Sequence, residues 1–108
     1  MEKTKESKMI CGNMKKYLNL QDFISFLKSL EVNESKVLST ESLEDGSIDN
    51  HTFMKIQFAG ETIVLYEFYA GGVGVIQDTP VAPWEDYAES VWEDLVREDE
   101  FKVFIEAD

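Results

Sequence analysis

Between Leu20 and Leu30 the apolar residues fall at Leu20, Phe23, Ile24, Leu27 and Leu30. That i, i+3, i+4, i+7 spacing gathers side chains on one face of a helix. Phe26 widens the stripe, Asn19 stands where a helix cap belongs, and Asp22 sits in the first turn, where a negative charge suits the helix dipole. The pattern predicts a first helix over about residues 20–31. A second helical stripe, Trp84, Tyr87, Ala88, Val91 and Leu95 with Trp92 at its edge, predicts a helix over about 84–97.

The stretch between the helices has a period of two. Lys36 to Leu43 alternates weakly and is ambiguous between a strand and irregular chain. Glu44-Asp45-Gly46-Ser47 has hairpin-turn chemistry, because Asp-Gly readily takes positive φ. From Thr52 to Phe58, Met54, Ile56 and Phe58 share one face and Lys55 and Gln57 the other. Ala59-Gly60 turns the chain into Glu61–Tyr69, a run of β-branched and aromatic residues. Ala70-Gly71-Gly72 turns it again into Val73-Gly74-Val75-Ile76-Gln77. Pro80 and Pro83 make 78–83 an extended crossover, and Phe101–Ile105 reads as a last strand.

The expected fold is α+β in the order α-β-β-β-β-α-β: an antiparallel meander with both helices on one face. Val64, Tyr66 and Phe68 on one side of a strand, and Ile63, Leu65 and Tyr69 on the other, make that strand apolar on both faces. The uncovered face then needs a covering, for which a homodimer or a partner protein is a candidate. With 108 residues and 44% apolar content, the chain is expected to form one globular domain over 17–108, after a flexible basic segment over 1–16.

Charge changes the picture. The net charge of −12 is spread unevenly. Residues 1–16 carry five lysines against two glutamates, while residues 78–108 carry eleven acids against Arg97 and Lys102. Such a balance disfavours direct binding to nucleic acid or to anionic lipid, since both need a basic face. It favours a cationic protein partner, although net charge also serves solubility. On the second helix Glu85, Glu89 and Glu93 form one i, i+4 ridge, and Asp86 and Asp94 flank it. The members stand about 6 Å apart along the axis, a spacing compatible with imitation of a phosphate row and shared by any acidic helix. Asp78, Asp99 and Glu100 extend the patch, Trp84 and Trp92 are candidate anchors at its rim, and Glu93–Arg97 is the one evident compensating pair.

Catalytic chemistry has little to stand on. His51, the only histidine, is expected in a solvent-exposed turn before a strand, and a dyad with the lone Cys11 lacks support from spacing. Asp45–Asn50 has its glycine in the wrong place for a calcium loop, and one Cys with one His is too few for a structural zinc site. Gly72-Val73-Gly74 lacks the third glycine and the following helix of a dinucleotide fingerprint. No catalytic role, metal or cofactor is expected. A single cysteine and the lack of a signal-like apolar run lead to the expectation of a cytoplasmic protein. The sequons at Asn33 and Asn50 are then chance matches.

Short, acidic, single-domain and without a catalytic motif, the chain resembles, as a class and not by motif, small phage-encoded inhibitors of bacterial defence such as anti-CRISPR proteins. It is similar in the same way to immunity proteins that neutralise nuclease toxins. No residue role is carried over from either class. The expected function is that of a non-catalytic inhibitor that occupies the basic groove of a nuclease or another nucleic-acid-handling enzyme, as a DNA mimic would. Its contacts would be Glu85, Asp86, Glu89, Glu93, Asp94, Asp99, Glu100 and Trp92. The alternatives are an immunity protein, an oligomeric adaptor binding through its aromatic sheet face, and a small-molecule-binding domain or minor enzyme using His51.

Overall fold

A computed structural model describes residues 14–67, 72–81 and 83–107. The fold is α+β. The chain runs β1 (Met14–Tyr17), α1 (Leu20–Ser29), β2 (Ser35–Ser42), β3 (Ile48–Phe58), β4 (Glu61–Glu67), β5 (Val73–Gln77), α2 (Trp84–Val96) and β6 (Phe101–Ala107). Six strands form one antiparallel sheet in the order β1-β6-β2-β3-β4-β5. The expected order holds with one strand added at its start. Met14, Lys15 and Lys16, expected in the basic lead-in, lie on the sheet edge because β1 pairs with β6 from Met14↔Ala107 to Tyr17↔Phe104. The rest of that lead-in, with Cys11, lies outside the described residues, as do Phe68 to Gly71.

Local chemistry accounts for the element ends. Asn19 and Asp22 form a reciprocal capping box: the Asp22 N–H donates to Asn19 Oδ1 at 2.8 Å, and the Asn19 N–H to Asp22 Oδ2 at 3.1 Å. Ala59 and Gly60 both take positive φ, 53° and 82°, which is what a two-residue hairpin needs to match the twist of its strands. Gly46, at φ 76°, does the same work between β2 and β3.

Both helices cover the same face of the sheet. Phe23, Ile24 and Leu27 of α1 and Trp84, Ala88, Val91 and Leu95 of α2 pack with Leu38, Phe53, Val64, Tyr66, Ile76 and Val103 of the strands. The strand residues alternate across the registered ladders, so they share one side of the pleat. Burying a large apolar side chain contributes about 1.5–3 kcal/mol, so this single layer holds the domain together.

In β3 the residues that share a face, Met54, Ile56 and Phe58, lie on the side away from the helices. Phe58 is 66% exposed, whereas Phe53, on the other side, is fully buried and packs its ring against Phe23, Phe26 and Tyr66. The open face is also apolar over β3 to β5, where Met54, Val73 and Val75 stand exposed beside the half-buried Ile56 and Leu65. Toward β1 it becomes polar. Tyr17 donates its hydroxyl hydrogen to Glu41 Oε1 at 2.9 Å, and Lys15 Nζ lies 5.0 Å from the centroid of the buried Phe104 ring.

Candidate functional site: the acidic face of α2 and the cavity beside it

The buried stripe of α2 fixes what faces outward. With Trp84, Ala88, Val91 and Leu95 inside, the helical period turns Glu85, Asp86, Glu89, Ser90, Glu93 and Asp94 to solvent, and each is exposed. Five of these six positions are carboxylates, and no base lies between Trp84 and Val96. The structure therefore places the predicted ridge together on one surface. Asp99 and Glu100 are exposed in the turn that follows, while Trp92 does not project as an anchor. It is half-buried, its ring 5.5 Å from that of Phe23.

The members differ in their local partners. Glu85 is already engaged: Lys28 of α1 donates to its Oε2 at 2.5 Å. That bond, the N–H at the helix start and the lysine charge hold the Glu85 carboxyl below its ordinary value. The pair is half exposed, so solvent and salt screen it. Asp86, Glu89, Glu93 and Asp94 make no ion pair or side-chain hydrogen bond among the described residues. The compensating Glu93–Arg97 pair expected from the sequence is not formed. The α-helix ends at Val96, and Arg97 takes the left-handed conformation, φ 47° and ψ 64°. Its guanidinium is thereby carried over the Phe101 ring, 5.1 Å from the centroid.

The helix dipole separates these acids further. Glu85 and Asp86 lie in the first turn, where a negative charge is stabilising. Glu93 and Asp94 lie in the last turn, where it is destabilising by about 0.3–1 kcal/mol. No basic residue occupies that last turn. Glu98 and Asp99 continue at positive φ, 57° and 67°. Three successive left-handed residues, none of them glycine, store roughly 1 kcal/mol each.

The C-terminal half of α2 also walls a cavity of about 700 Å³ that opens between the helix and the sheet. Its lining includes Thr40, Asp49, His51, Tyr66, Asp94 and Phe101. Here the structure corrects a sequence expectation. His51 is not in an exposed turn: it lies inside β3, opposite Leu38, and is only 2% exposed. Strand β3 begins four residues earlier than its alternation shows, because Ile48–His51 pair along β2 up to Glu41↔Ile48. Both ring nitrogens of His51 are engaged, Nδ1 with the Glu67 carbonyl at 3.1 Å and Nε2 with Thr40 Oγ1 at 3.0 Å. A carbonyl only accepts, so Nδ1 carries the proton and, in the neutral ring, Nε2 accepts from the threonine hydroxyl. The only sequence signal for this was the weak alternation Asp49, His51, Phe53.

Tyr66 forms part of the cavity wall. Its ring stacks on Phe53 at 13° between planes, and burial followed by the charge of Asp94 raises its hydroxyl above the ordinary value. Among the described residues no helix is long and apolar enough to cross a membrane, and no group of three or more His, Cys, Asp or Glu is placed to hold a metal ion. No protein-family model, curated protein or solved structure matches the chain.

Proposed function

We propose that this protein is a non-catalytic binding protein whose α2 face docks on a lysine- and arginine-lined surface of another protein. The observation that carries this reading is the set Asp86, Glu89, Glu93 and Asp94, exposed on one helix face and making no ion pair or side-chain hydrogen bond among the described residues. Two of them stand at the helix end where the dipole disfavours them. A fold gains nothing from that arrangement, whereas an external cation removes the repulsion on contact. Acids spaced along such a ridge steer a basic partner electrostatically and make its association salt-sensitive. The class of partner that fits best is a nucleic-acid-handling enzyme, a nuclease among them, since its groove is lined with cations to receive phosphates. Occupying that groove would inhibit it, as an anti-CRISPR or an immunity protein does.

Glu89→Lys with Glu93→Lys is the direct test. Glu85 is left in place because its reversal would break the contact with Lys28 and disturb the α1–α2 packing. The double variant should keep the circular dichroism spectrum of the parent, and as bait at low salt it should lose the basic protein that the parent captures. That captured protein should lose its nucleic-acid binding when the parent is added. A partner retained equally by both baits at low salt contradicts the proposal.

One observation favours a second reading, an adaptor that binds through its sheet. Val37, Met54, Val73 and Val75 are exposed together on the side away from the helices. Under that reading Met54→Lys, not the α2 double variant, abolishes capture.

A further inference from the structure

The cavity beside α2 shares Glu93 and Asp94 with the proposed docking face, but Tyr66, Val91, Leu95 and Phe101 lie inward of that face, and its construction is that of a ligand site. Its volume of about 700 Å³ falls within the roughly 300–1,000 Å³ that small-molecule sites occupy. One protruding side chain from a partner would leave most of it unfilled. The walls divide by chemistry. Val91, Leu95, Tyr66 and Phe101 supply apolar and aromatic surface, and Asp49, Glu93, Asp94 and Glu98 supply carboxylates. Arg97, the lining cation, lies over Phe101.

We propose that this cavity binds a small organic ammonium compound, a protonated amine carried on an aromatic or aliphatic body. The carboxylates receive the ammonium group, and Val91, Leu95, Tyr66 and Phe101 take the body. A ligand anion meets four carboxylates and is excluded. The floor is prepared for the body, not for the charge. Thr40, His51 and the Glu67 carbonyl form a closed hydrogen-bond chain, so the buried imidazole already has its partners. Tyr66 is held between the Phe53 ring and the backbone of Gly74, where a Cβ would come within 2.4 Å of the phenol ring. A rigid wall lowers the ordering cost of binding.

The test compares three indole compounds of one size on the whole chain by amide NMR: tryptamine, the neutral tryptophol and the anion indole-3-propionate. Tryptamine should give saturable shifts centred on His51, Tyr66 and Asp94. Its affinity should exceed that of tryptophol by about tenfold or more, and the anion should give no saturable shift. Asp94→Asn should weaken tryptamine about tenfold, and Glu89→Gln, on the same helix but outside the cavity, should leave it unchanged. Signal dispersion in each spectrum verifies that the variant is folded. Three results overturn the proposal: equal affinity for amine and alcohol, shifts spread along Asp86 and Glu89 in place of the cavity, or no saturation by about 10 mM.

Discussion

The two helices do the same work inside and opposite work outside. Each buries a stripe on the same face of the sheet, Phe23, Ile24 and Leu27 from one and Trp84, Ala88, Val91 and Leu95 from the other. Their outer faces differ. On α1 the charges are few and each has a local role: Asp22 completes the capping box, and Lys28 sits in the last turn, where it suits the dipole and reaches Glu85. On α2 five acids stand outward, only the first two suit the dipole, and among the described residues only Glu85 forms an ion pair. The inner faces are thus explained by folding alone. The outer face of α1 is explained by helix ends. The outer face of α2 is not explained by either, and the proposed docking rests on that difference.

On that division, substitutions inside either helix cost several kcal/mol and those outside cost far less. Phe23→Ala in α1 and Leu95→Ala in α2 should each destabilise by about 3–5 and 2–5 kcal/mol respectively, read as urea midpoints. A negligible loss for Leu95→Ala would mean that α2 is loosely docked and would break the symmetry of the inner faces. A smaller effect belongs to the outer face of α1. Asn19→Ala removes the acceptor of the capping box and should lower stability by about 1 kcal/mol, whereas no side chain caps the start of α2 and Pro83→Ala should do much less.

The smallest effect concerns the contact between the helices. Because the Lys28 bond holds the Glu85 carboxyl below 4.5, the contribution of the pair is complete above that pH and is lost as pH falls through the depressed value. Lys28→Ala should move the Glu85 titration up toward 4.5, followed by carboxyl NMR, and should flatten the acid limb of the stability profile. An unmoved titration would mean that Lys28 does not hold this carboxylate in solution.

Much of this was legible in the sequence, for physical reasons. Amphipathic periods mark both helices, because a stripe that must be buried repeats along the chain. The Asp-Gly and Ala-Gly turns mark hairpins, because few residues accept positive φ. Strand β1 was not legible. Met14–Tyr17 are exposed and carry no alternation, and their place is set by pairing with β6 some ninety residues away. His51 was hidden in a polar run, Asp49-Asn50-His51, that imitates a turn; only the ladder to β2 makes it strand, and Thr40 and the Glu67 carbonyl engage its ring at 2% exposure. The inward face of β3 was likewise decided by tertiary packing. Three apolar residues, Met54, Ile56 and Phe58, outnumber the lone Phe53, yet Phe53 is the one the helices cover. The outward ridge of α2 followed directly from helical spacing. Its missing compensation did not, because a left-handed turn at Arg97 undoes the i, i+4 geometry.

The most direct measurement is the urea unfolding of Glu89→Gln/Glu93→Gln/Asp94→Asn beside the parent at neutral pH and low salt. Since these carboxylates repel one another and two oppose the helix dipole, the triple variant should be more stable by about 1 kcal/mol with an unchanged slope, and the gain should shrink as salt is added. A lower midpoint for the variant would show that the acids serve the fold itself, and the external cationic partner would then have no basis.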